Sequence, residues 1–151
     1  MIALTVRPPW SWAIAHGGKR IENRTWCPTW PWTLAIHAGV RVEPYYTLEL
    51  VSELSGRPVA EVVAGCAEPY RGAVVAVAEL VDVCTVRGGY GACDCGPWAM
   101  PHQYHWRLDD VQALGQPVPA RGQQKLWYPA EAAEAAVRAQ LVAAAGAGEA
   151  L

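Results

Sequence analysis

A chain of 151 residues with 52% hydrophobic side chains is about one domain long and can bury a substantial core. Its formal net charge of −2 and pI near 6.1 weigh against tight, nonspecific binding to long nucleic acid, which relies on many Lys/Arg contacts to phosphate. The sequence shows no charged leader with a cleavage site and no apolar stretch of spanning length, so a cytoplasmic protein without a membrane partner is expected. Five cysteines, an odd number, point to reduced thiols rather than a disulfide framework.

In chain order, Ile2 to Val6 has the pattern of a short strand. Pro8-Pro9 then opens a helix with Trp10, Ala13 and Ile14 on one face, which Gly17 stops. Arg20 to Trp26 is expected as a strand with Glu22 and Arg24 on one face and Ile21 and Asn23 on the other. Lys19 joins Glu22 in one site only if it lies in the Gly17-Gly18 turn. Cys27 to Trp32 is a proline-interrupted loop carrying the indoles Trp30 and Trp32. Thr33 to Ala38 alternates as a strand with His37 opposite Leu34 and Ile36.

Pro44 to Leu54 and Pro58 to Cys66 read as two helices, with Leu50, Val51 and Leu54, then Val59, Val62 and Val63, as core faces. The Ala73 to Ala78 run is apolar on both faces, as a central strand would be. Arg87 to Met100 is rich in glycine and reads as a mobile loop. Pro129 opens an alanine-rich helix to about Ala145, followed by a fraying tail.

Charge is unevenly placed. Residues 1–42 hold Arg7, Lys19, Arg20, Arg24 and Arg41 against Glu22 alone, whereas carboxylates accumulate later. A local basic face on a mildly acidic body suits a nucleotide, a base or an RNA end. Within it, Gly17-Gly18-Lys19-Arg20-Ile21-Glu22-Asn23-Arg24 crowds charged groups behind a glycine pair, where the backbone can turn sharply and approach a ligand. The indoles of Trp10, Trp30 and Trp32 are candidates for stacking on a base. Cys93-Asp94-Cys95, with Cys84 before and His102 after, lacks the two to four intervening residues of a zinc knuckle, so a reduced loop pair is expected, with no metal and no cofactor. His37 and His105 alternate with apolar residues and read as hydrogen-bonded sheet histidines.

The Gly-x-Lys-x-x-Glu-x-Arg core, preceded by Leu4 to Ala13 and followed by Leu34 to Gly39, resembles the ASCH family (activating signal cointegrator homology). Gly72 to Asp82 is similar to that family's long central strand. Tyr104 to Leu108, Pro117 to Gly122 and Leu126-Trp127 are similar to its closing strands, so the likeness covers most of residues 1–128. It implies an α+β fold, a PUA-like mixed or antiparallel β-barrel with flanking helices, over residues 1–128, with 129–151 as the alanine-rich helix and tail of the same domain. It also implies a cleft beside Lys19 that takes RNA, another single-stranded or modified nucleic acid, or a nucleoside or nucleotide.

On that basis Arg7, Trp10, Lys19, Arg20, Arg24, Trp30, Trp32 and Tyr104 are the candidate nucleic-acid contacts. The alternative implied by the resemblance is a small hydrolase, an acetylcytidine amidohydrolase or a ribonuclease, with Lys19 and Glu22 as catalytic residues. Two departures bear on this. Relatives often carry Gln-Pro-Trp where this chain has Pro8-Pro9-Trp10, and the amide-cleaving relatives carry a threonine where this chain has Glu22. A carboxylate there acts as acid, base or electrostatic stabiliser, not as a hydroxyl nucleophile. No serine elbow, His-Glu-x-x-His or Walker-type glycine loop occurs. A protein-interaction role for the acidic or alanine-rich helices is the third option.

Overall fold

The computed structural model describes residues 1–29 and 32–150. The apolar stretches form strands β1 (Ile2–Val6), β2 (Ile21–Arg24), β3 (Trp32–Ala38), β4 (Ala73–Cys84), β5 (Tyr104–Pro119) and β6 (Leu126–Trp127). Helices α1 (Trp10–His16), α2 (Tyr45–Ser55), α3 (Val59–Gly65) and α4 (Glu131–Glu149) flank them. The strands make one sheet in the order β2-β5-β4-β3-β1-β6. Among the described residues only the β1–β3 pair is parallel; the other neighbours run antiparallel. The expected α+β class therefore holds, as a curled, mixed half-barrel with flanking helices.

The curl follows from the long strands. The β4–β5 register slips between Val74 and Ala76, between Val77 and Glu79, and between Leu80 and Asp82. Such irregularities bend the strand and increase its twist. Alternation along β1 sends Ile2, Leu4 and Val6 into one core with Ile14, Leu34, Ile36, Trp106 and Leu108. Ala3 goes to the opposite face with Ala35, Val74, Val77 and Trp127, where Val137 of α4 covers it. A third cluster, Trp12, Ala13, Leu48, Val51 and Val62, fills the space between the first three helices.

Three expectations change. In α2 the core positions are Thr47, Leu48 and Val51, while Leu50 is exposed. Val63 of α3 is likewise exposed, because one 100° step past Val62 points away from α1. Helix α4 continues to Glu149 through Gly146 and Gly148 instead of fraying near Ala145. Trp30 lies outside the described residues. No helix among those residues is long and apolar enough to cross a membrane.

Candidate functional site

The Gly17-Gly18 turn puts Lys19 where the charge pattern requires it. Gly17 donates its N–H to Ala13 O and ends α1. Gly18 takes φ 76°, the left-handed region that glycine enters without strain. Lys19 then precedes β2 and turns inward, only 1% exposed. Its Nζ donates to Glu22 Oε2 at 2.7 Å and to the carbonyl of Ile21. The other oxygen of Glu22, Oε1, accepts from Arg24 Nε at 3.1 Å, and the Arg24 guanidinium also donates to Thr5 O at 2.9 Å. One buried carboxylate thus bridges two cations, and β2 is tied through Arg24 to β1 across the open side of the half-barrel.

Burial pushes the Lys19 ammonium below its ordinary value, against the pull of the Glu22 carboxylate, and the Arg24 charge adds to the depression. Burial alone would raise the Glu22 carboxyl. The two cations outweigh it and hold Glu22 below the usual carboxylate range, so it stays ionised at neutral pH. An ammonium has three N–H donors, and the protein partners take two, leaving one for the cavity that Lys19 lines.

Two cavities meet at Trp10 and Glu22. The larger, about 480 Å³, is lined by Arg7, Trp10, Glu22, Arg24, Trp26 and Lys125, among others. The smaller, about 170 Å³, is lined by Trp10, Lys19, Glu22, Asn23, Met100 and Gln103. Trp10 stands between them, with Lys19 Nζ 5.7 Å from its ring centroid. A third hollow, between α1 and α3, is lined chiefly by Trp12, Ala15, Ala64, Gly65 and Val75 with His16 and Glu61 at its edge, and no buried charge faces it.

Of the expected contacts, Arg7, Trp10, Lys19, Glu22 and Arg24 come together here. Arg20 does not: its guanidinium donates to Ile14 O and Lys19 O, closing the end of α1. Trp32 donates to Thr29 Oγ1 and lines neither cavity. Tyr104 carries the Arg87 guanidinium over its ring at 4.8 Å and also lies outside both. Sequence reasoning missed Trp26, Gln123, Gln124 and Lys125. Trp26 stands edge-on to buried Trp106 at 4.8 Å, and Lys125 Nζ sits 6.0 Å from the Trp26 ring centroid. The 123–125 segment reaches the cleft because β6 pairs with β1, a tertiary fact with no local signature.

The loop between β4 and β5 is anchored rather than loose. Asn23 of β2 donates to Trp98 O at 2.9 Å and accepts from Met100 N at 2.8 Å. Trp98 packs edge-on against Trp10. The loop also folds Cys93 and Cys95 against Cys84 and His105, so that their four ligand atoms lie within 4.8 Å of one another. His105, not His102, joins the cysteines, because Cys84 and His105 are direct partners in the β4–β5 register. No protein-family model and no curated protein matches the chain.

Proposed function

We propose that the cleft walled by Trp10 and Trp26 binds a single nucleotide or a short single-stranded RNA end, on a PUA-like barrel of the ASCH type. The observation that carries this reading is the composition of the 480 Å³ cavity. It sets two indoles beside the cations Arg7, Arg24 and Lys125, with the amides of Gln123 and Gln124 at its border. Indole faces suit a flat base, guanidinium and ammonium groups suit phosphate, and primary amides suit polar base edges. Glu22 and Glu43 line the same space, so three cations face two carboxylates. That balance fits one or two phosphates better than a long backbone.

Calorimetric titration with nucleoside monophosphates and a short single-stranded RNA tests this. Binding with a shallow salt dependence is expected, and Lys125→Ala and Trp26→Ala should each weaken it roughly fivefold, about 1 kcal/mol. If neither ligand binds, or both variants bind like the parent, the cleft serves something else.

A second reading, an amidohydrolase acting on an acylated nucleoside, is favoured by one observation: a desolvated lysine with a depressed pKa lines a small cavity beside a carboxylate. Incubation with acetylcytidine checks it. Deacetylation lost in Lys19→Ala supports it, and no turnover by the parent removes that substrate.

A further inference from the structure

We infer that Cys84, Cys93, Cys95 and His105 form a closed zinc site that clamps the β4–β5 loop against the sheet. Three sulfurs and one imidazole nitrogen make a complete Cys₃His set, the ligand number and softness of structural zinc. Around zinc, with Zn–S about 2.3 Å, tetrahedral sulfurs stand roughly 3.8 Å apart. Ligand atoms already within 4.8 Å of one another need to draw in by about an ångström.

Two devices place the ligands, each supplying two of them. Cys84 and His105 sit opposite each other on neighbouring antiparallel strands, and such partners share a face. Cys93 and Cys95 are two residues apart in a segment flanked by Gly91 at φ 80° and Gly96 at φ 86°, left-handed positions that fold the loop back on the sheet.

The histidine is set up as a ligand. Its Nε2 lies 2.6 Å from Met100 O, and a carbonyl only accepts, so Nε2 carries the hydrogen and Nδ1 presents a lone pair. That Nδ1 faces Cys93 Sγ at 3.4 Å. An imidazole oriented by a backbone carbonyl on its far nitrogen is the usual support for a metal-binding histidine. Zinc with three thiolates carries one net negative charge, and Arg107 is positioned to balance it, donating to Cys95 Sγ at 3.6 Å. Four protein ligands leave no open position, so the role is structural.

The consequence reaches the cleft. Met100, whose carbonyl orients His105, lines the Lys19 cavity with Gln103, and Trp98 of the same loop packs on Trp10. Zinc would hold that wall in place whatever the cleft binds, and metal content is read separately from ligand binding.

The test is the 151-residue chain purified under reducing conditions, supplied with Zn²⁺ alone and desalted, with zinc measured by plasma mass spectrometry. One zinc per chain is expected. Co²⁺ in its place should give intense thiolate charge-transfer bands and the visible bands of a tetrahedral ion. Cys95→Ser, a half-buried loop change outside the three core clusters, should lower zinc affinity at least about tenfold, as should Cys84→Ser, while Cys27→Ser leaves it unchanged. Less than a tenth of an equivalent in the reconstituted parent, full affinity in Cys95→Ser, a Co²⁺ spectrum without thiolate bands, or a disulfide among the three cysteines in the parent would each overturn the assignment.

Discussion

Glu22 is the residue on which the charged site turns, because each of its oxygens serves a different cation. Removing one member of a buried pair leaves an uncompensated charge, typically at 3–5 kcal/mol, whereas removing a cation here leaves the carboxylate still paired. Glu22→Gln should therefore destabilise by about 3 kcal/mol near neutral pH, and Lys19→Met by clearly less. In Glu22→Gln the Lys19 amine loses its counter-charge, so its folded pKa falls further below the unfolded value. Stability then rises with pH between the two, up to about pH 10.4. Urea titrations of both variants at neutral and alkaline pH check the order and the slope; Lys19→Met as costly as Glu22→Gln would contradict the bridging role. This trio is legible in the sequence. Glu22 and Arg24 fall on one strand face by alternation, and the glycine pair lets Lys19 join them. Arg20 shares that charged stretch yet turns to α1, since side-chain direction at a turn is decided by which carbonyls stand nearby.

At the scale of elements, the β4–β5 loop is docked on β2 by a single side chain. Asn23 satisfies both a carbonyl and an N–H of the loop, and Asn23→Ala would leave Trp98 O and Met100 N without those partners. Water can reach at least the freed Met100 N–H, so a cost of about 1 kcal/mol is expected, with faster amide exchange confined to roughly residues 96–103. Exchange rising equally across β3 and β4 would instead mean that the whole sheet depends on this contact. Glycine content alone made the loop look mobile; what anchors it lies in strands far away in sequence. The same holds for the sulfur cluster. Cys93-Asp94-Cys95 has no zinc-knuckle spacing, and only the pairing of Cys84 with His105 supplies the other two ligands. Strand and helix positions were legible because apolar periodicity is local. Leu50 and Val63 were misplaced because the width of a helix's buried face depends on what packs there.

For the molecule as a whole, one buried histidine joins four chain segments. His37 of β3 lies with Nε2 2.7 Å from Ala120 O, just past β5, and Nδ1 3.2 Å from Thr5 Oγ1 of β1. Trp127 of β6 donates its indole N–H to the same Thr5 oxygen at 3.1 Å. The carbonyl fixes the hydrogen on Nε2, so neutral Nδ1 accepts from the Thr5 hydroxyl, and every polar atom of the chain of bonds is satisfied without a proton to spare. Gly122 seals this clasp, since a Cβ there would lie 2.6 Å from the imidazole carbon. Burial lowers the His37 pKa, only partly offset by the Ala120 carbonyl. The unfolded chain therefore binds a proton more readily than the folded one. Stability is full above the unfolded value near pH 6.5 and falls as pH drops below it, until the folded pKa is reached. The urea midpoint should decline between pH 7.5 and 5. His37→Gln keeps an N–H for Ala120 and does not titrate, so it should be less stable than the parent at pH 7.5 but lose less on acidification. Any loss of metal at low pH acts on both proteins, so the difference between their slopes isolates His37, and identical slopes would show that the clasp does not titrate.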